Sequence, residues 1–296
     1  MKLLHQALSA AGCNFRKWRK NPRILLTFAF AFILCYLLSE RAVRFAAEHN
    51  TPLQALEVFI WNFGDSSSIL LSSLLLVLLF ADIPFVSSGT AFYLVRTSRR
   101  TWIAGQILYI FAATAVYLLF ILASTLAVCA RSSYMANMWS PTAAIIAYSG
   151  AGQAVALPAL VKTLEASLPY SCAAVIFCLM LGYALTLVLL MLICNLRFGK
   201  AAGVVSVFAY TLSGFLMDAN RIANVFQLAP QAFYKANVAV GWLSPLNHAA
   251  YHMHSFGYDL LPRLWQSFAI FGGLAVLEAF LAVRAAKRYN FCVLEE

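Results

Sequence analysis

Six stretches of this chain run for about the length of a bilayer-crossing helix with scarcely a charge inside them: residues 24–44, 68–90, 103–128, 170–194, 201–217 and 264–283. A helix rises about 1.5 Å per residue and the hydrocarbon core is roughly 30 Å thick, so about 20 apolar residues are needed to cross it. No soluble core has room for six such segments in 296 residues. The rest of the composition agrees: 62% of residues are hydrophobic and 11% charged, with mean hydropathy +0.79, whereas a soluble domain is about a quarter charged. The first and fifth stretches are the shortest, and Glu40 and Arg44, one helical turn apart, can pair at headgroup level to lengthen the first.

Six crossings leave the connections alternating between two sides, and the charges divide accordingly. One side receives Lys2, Arg16, Lys17, Arg19, Lys20, Arg23, Arg96, Arg99, Arg100, Arg197, Lys200, Arg284, Lys287 and Arg288. The other receives only Arg41, Arg44, Arg131, Lys162, Arg221, Lys235 and Arg263, offset by seven acids. The positive-inside rule puts the first side, and with it both termini, in the cytoplasm. The net charge of +10 belongs to that face and calls for no nucleic acid. A seventh crossing through residues 142–161 is disfavoured because Gly150, Gly152, Gln153 and Pro158 interrupt it, and broken backbone exposed to lipid leaves polar groups unpaired. An outer re-entrant or interfacial segment is expected there. The same is expected of the aromatic-rich connection over residues 218–262.

Ahead of the first span, Leu4, Leu8, Ala11, Phe15 and Trp18 recur every three or four residues, with basic and polar residues on the other faces. This predicts an amphipathic helix on the inner leaflet with Trp18 at headgroup level, turned into the membrane at Pro22. The expected fold is therefore all-α and integral to the membrane, one domain over 1–296. It comprises a cytoplasmic amphipathic elbow over 1–22, a six-span core over 24–283 and a tail over 284–296.

Chemistry-bearing patterns are few. The seven cysteines are scattered through apolar runs without metal spacing. No segment reads GxxxxGK[ST]; Gly199 and Lys200 are followed by Ala201, so no P-loop binds ATP here. His248, His252 and His254 cluster in NHAAYHMH, and an i,i+4 pair could put two imidazoles on one helix face as a zinc site requires. The glutamate that would act as base is missing, Ala249 standing in its place, so interfacial packing is the competing reading. Asp82 and Glu278 fall inside predicted spans toward their cytoplasmic ends, where pairing with Arg96, Arg99 or Arg284 would neutralise them. Ser68, Ser72, Ser206, Tyr210 and Ser213 could line a polar path, or simply bond their own helix carbonyls. Gly199 and Gly203 within GKAAG, with Ala202 and Ser206, make a small-residue face suited to close helix packing.

In layout, and in four local motifs, the chain resembles the permease subunits of ATP-binding-cassette exporters of the ABC-2 type. The motifs are NFRKWRKNPRI before span one, FYLVRTSRRTWIAGQ between spans two and three, LRFGKAAG between spans four and five, and WLSPLNHAAY before span six. The resemblance implies an elbow helix built on Phe15, Arg16, Lys17, Trp18 and Arg19. It also implies a coupling helix at Arg96, Thr97, Ser98, Arg99, Arg100 and Trp102, with Trp102 marking the membrane surface, and a pathway lined by spans two and five. It further implies a bacterial plasma-membrane protein that is a transport subunit rather than an enzyme. Its partners would be a separately encoded ATPase, which holds the ATP and Mg, and a second permease copy or paralogue. The competing functions are an ion- or proton-coupled carrier and a membrane enzyme built on the histidine cluster.

Overall fold

The computed structural model describes residues 2–86, 97–154, 157, 159–217, 219–227, 229, 233–257 and 259–289. It is 79% helical; among the described residues the only sheet is a two-residue parallel pair, β1 (Leu53–Gln54) with β2 (Ser133–Tyr134). Helix α1 (Lys2–Arg16) leads through a 3-10 turn at Lys17–Lys20 into α2 (Pro22–Glu48). The sequence sets that entry: Asn21 accepts a hydrogen bond from the Arg23 amide (3.1 Å), and Pro22 occupies the first helical position, where its missing N–H costs nothing.

The chain then passes β1 and folds into α3 (Glu57–Phe63) and α4 (Ser66–Phe80), bent by 82° at Gly64–Asp65. The long α5 (Arg99–Cys129) is followed by β2 and three short helices, α6 (Pro141–Tyr148), α7 (Ala151–Ala154) and α8 (Val161–Ala166). Helix α9 (Pro169–Phe198) turns at Gly199, whose φ of +94° suits glycine, directly into α10 (Lys200–Leu216). Three further short helices, α11 (Ala219–Val225), α12 (Phe233–Leu243) and α13 (Pro245–Ala249), and a 3-10 turn at Tyr251–Met253 precede α14 (Leu264–Ala286).

Four helices are long and apolar enough to cross a membrane: α2, α5, α9 and α14. The number reaches six if each of the bent pairs α3–α4 and α10–α11 is one crossing. The chain is thus a multi-span membrane protein by length and composition, with α1 and the short helices outside the long bundle. The stretch 142–161 contains only short helices broken at Gly150, so it holds no long crossing helix; Pro158 lies outside the described residues.

The second predicted span, 68–90, is corrected. Asp65 caps a new helix by accepting from the Ser67 amide (3.0 Å), and the helix stops at Phe80, ahead of the Asp82-Ile83-Pro84 segment. Proline disfavours a helical conformation in the residue before it, so the apolar run cannot continue as helix through Ile83. At 15 residues, about 22 Å long, α4 is short for a crossing on its own.

Helix α9 is the axle of the fold. Two thirds of its apolar window (67%) is buried within the protein, against 44% for α5, 28% for α2 and 17% for α14. It packs against α3, α4, α5, α10, α13 and α14. The predicted small face of α10 is used inside the chain: a Cβ on Gly203 would lie 1.9 Å from Asn195 Oδ1 on α9, and Asn195 itself donates to the Ile83 carbonyl.

Candidate functional site

The basic end of the bundle gathers α1, the ends of α4 and α14, and the starts of α2, α5 and α10. Helix α1 docks along the first turns of α5 by a face different from the predicted one. Ala7, Ala10, Ala11 and Asn14 are buried, whereas Leu8 is 52% exposed. Small residues win because α5 presents Gly105: a Cβ there would lie 2.6 Å from Ala10 Cβ and 3.0 Å from the Ala7 carbonyl. The leucine face is left outward. Asn14 donates to Gln106 (3.0 Å) inside this contact. Trp18, expected at headgroup level, instead donates its indole N–H to the Tyr109 hydroxyl (2.8 Å), packed with Phe15 and Phe28. Arg16 and Arg19 remain exposed, and Lys17 reaches over the Phe85 ring.

The residues expected to form a separate coupling helix are, from Arg99 to Trp102, the first turn of α5. Arg96 lies outside the described residues. Ser98 caps the helix by accepting from the Thr101 amide (3.1 Å), with Thr97 half-buried before it. Arg99 donates to the Lys287 and Tyr289 carbonyls (2.7 and 3.4 Å) at the end of α14, where unpaired carbonyls and the helix dipole favour a cation. Arg100 points outward. Trp102, expected to mark the membrane surface, is only 2% exposed. Asp82 lies past the end of α4 and pairs with Arg23 (2.8 Å), with Lys200 at 3.9 Å, not with Arg96, Arg99 or Arg284.

Of the proposed pathway hydroxyls, Ser72, Ser206 and Ser213 donate to the carbonyls of Ile69, Gly203 and Tyr210 on their own helices (2.7–2.9 Å). Ser68 and Ser72 are buried, Ser206 is half-buried and Ser213 exposed, so the five do not converge on one path. Tyr210 alone reaches across to another helix, to the Thr186 hydroxyl on α9.

At the far end, the helix carrying His248 stops at Ala249, so His248 and His252 do not share an i,i+4 face. His252 turns to the Gly64 carbonyl (3.1 Å). His248 and His254 instead converge on Ser267 of α14, each with a ring nitrogen 2.8 Å from its Oγ. Their other nitrogens face the carbonyls of Trp242 (3.0 Å) and Ala250 (3.0 Å), which fixes the N–H on that side of each ring. All three side chains are buried. Burial pushes His254 down to about 4 and lowers His248 and His252. Ser267, with no exposed surface, pins the outer helices to α14 rather than offering a nucleophile. Among the described residues no group of three His, Cys, Asp or Glu side chains could hold a metal ion.

Sequence reading passed over Glu57. It is fully buried and accepts from the Ser140 amide, the Ser140 hydroxyl (2.6 Å) and the Gln54 amide (3.0 Å). It thereby ties α3 to β1 and to the start of α6, 83 residues away. The available signal was one acid within the apolar run ALEVFIW. Glu278 of α14 pairs with no arginine: its Oε2 is buried with no hydrogen-bond partner. No family model, curated protein or solved structure matches the chain.

Proposed function

We propose that this chain is the membrane-spanning permease subunit of an ABC-2 type exporter. A separate ATPase would drive it from the basic end, which we take as cytoplasmic, and a second permease copy or paralogue would complete the pathway. One observation carries the reading. Helix α1, packed on Gly105 and bonded through Asn14–Gln106 and Trp18–Tyr109, makes one body with the start of α5. From there α5 continues unbroken for 31 residues, about 46 Å. A push at Arg99 and Arg100 is then delivered to the opposite end as a rigid displacement, as ATPase-driven alternating access requires. In this reading the chain breaks no covalent bond; ATP and Mg belong to the partner.

Arg99→Glu with Arg100→Glu tests the docking site, and Arg100→Glu alone spares the bond to the Lys287 carbonyl. With the ATPase that co-purifies from native membranes, both variants should insert normally but hydrolyse ATP without transport. Normal ATPase capture and normal transport in the double variant would refute the assignment. The unpartnered Glu278 favours a second reading, an ion- or proton-coupled carrier. Turnover by the lone chain in vesicles, without any ATPase, would establish that reading instead.

A further inference from the structure

Helix α14 turns one narrow stripe toward the rest of the fold, where Ser267, Phe271, Ala282, Ala285 and Ala286 are buried. Glu278 falls on that stripe, seven residues after Phe271 and four before Ala282. It stands about 12 Å along the helix from Ala286 and about 21 Å from Leu264, well inside a bilayer. The basic residues nearest in sequence do not serve it. Arg284, six positions on, projects from a different face of the helix and is exposed, and Arg99 is held by the carbonyls beyond α14.

A second orphan lies close by. Tyr183 of α9 is 1% exposed and its hydroxyl has no partner. Its ring stacks on Tyr210 of α10 and meets Phe271 of α14 edge-on, with centroids 6.3 Å apart in both cases. Tyr210 is in turn within electrostatic reach of Glu278. Helix α9 packs against both α10 and α14, whereas those two make little contact with each other. Glu278 and Tyr210 therefore face one another across the seam between the flanking helices, with Tyr183 at its floor.

An unpaired carboxylate in this setting is expensive, so the site needs a proton or a cation from outside the chain. A proton would neutralise Glu278 but leave the Tyr183 hydroxyl without a partner and give the aromatic faces no role. A protonated amine satisfies all three, since its N–H groups can donate to Glu278 Oε2 and Tyr183 Oη while its charge lies against the rings. We infer that Glu278, Tyr183 and Tyr210 form an intramembrane site for the ammonium group of an amphiphilic amine, reached between α10 and α14. The inference rests on the transport reading and names the cargo class.

The test uses the full chain in lipid nanodiscs with no ATPase, so it succeeds or fails independently of coupling at Arg99 and Arg100. Tryptamine and its neutral hydroxyl counterpart tryptophol are the probes. Tryptamine should bind, tryptophol at least tenfold more weakly, and Glu278→Gln should weaken tryptamine by about 30-fold or more, as expected when one partner of a desolvated charge pair is removed. Tyr183→Phe should weaken it severalfold, with both variants melting as the parent does. Equal tryptamine affinity in the parent and Glu278→Gln would overturn the inference, as would equal affinity for the two probes. So would absence of binding together with an infrared band from a protonated Glu278, which would mark a proton site only.

Discussion

Removing the Glu57 carboxylate should loosen one end of the molecule and leave the other intact. In Glu57→Ala, two backbone N–H groups, from Gln54 and Ser140, and the Ser140 hydroxyl lose their acceptor in a place closed to water. Each buried donor left unsatisfied costs about 1–3 kcal/mol. The hydroxyl can rotate to another acceptor, which brings the total to roughly 3–5 kcal/mol, in line with other buried charges stripped of partners. Glu57→Gln keeps one carbonyl oxygen for the two donors now on Oε2 and turns an NH2 toward the third, so its cost should be about 1–3 kcal/mol.

Hydrogen exchange in detergent or nanodiscs separates a local from a global effect. A local loss of about 3 kcal/mol corresponds to roughly hundredfold faster exchange, confined to residues 53–57 and 140–144. Amides of α1 and of the first turns of α5 should exchange as in the parent. Unchanged exchange at Gln54 and Ser140 in the alanine variant would refute the clamp, and so would a glutamine variant weaker than the alanine one.

Three further outcomes follow from the geometry. Burial holds His254 near 4, below the ordinary value of about 6.5. Its contribution to stability is therefore complete above pH 6.5 and lost as pH falls toward 4, approaching about 3 kcal/mol; melting curves of the parent should show this slope and those of His254→Gln a shallower one. Gly105→Leu should push α1 off α5 at a cost of about 1–3 kcal/mol or more, seen as faster exchange and proteolysis within residues 2–16, with α9 unaffected. Asp82→Asn should change the melting free energy by less than about 1 kcal/mol, because the Arg23–Asp82 pair is 49% and 33% exposed; a larger loss would show that this end is stiffer than its exposure indicates.

What could be read from the chain divides by the range of the interaction. The helices α2, α5, α9 and α14 were legible because lipid forces each crossing segment to announce itself as an apolar run. The break at Gly150 and the close contact at Gly203 were legible because glycine marks both. The predicted Glu40–Arg44 pair lies one helical turn apart, and it forms. The face by which α1 packs was misread because hydrophobicity was allowed to choose it, whereas the fit of Ala10 against Gly105 chooses it. Glu57 with Ser140, His254 with Ser267 and Tyr183 with Glu278 were beyond reach. Each joins residues from different helices through one or two polar atoms, and no periodicity carries that information.

The two ends are held by forces of different strength. At the far end, Glu57 binds Ser140, the Thr142 hydroxyl donates to the Pro52 carbonyl (2.8 Å), Trp139 donates to the Ser167 carbonyl (2.9 Å), and Ser267 joins two histidines, almost all of it buried. Breaking any of these strands polar groups away from water at several kcal/mol in sum. At the basic end, the Arg23–Asp82 and Lys200–Asp82 pairs and the Arg99 bond to the Lys287 carbonyl are exposed, and water replaces each for about 1 kcal/mol or less. For a chain driven from its basic end, this asymmetry sets where it gives: the exposed pairs exchange partners first and the buried network acts as the pivot. Helix α14, pinned at Ser267 and held elsewhere by one narrow stripe, is the element most free to swing about that pivot. Glu278 lies on the arm that moves.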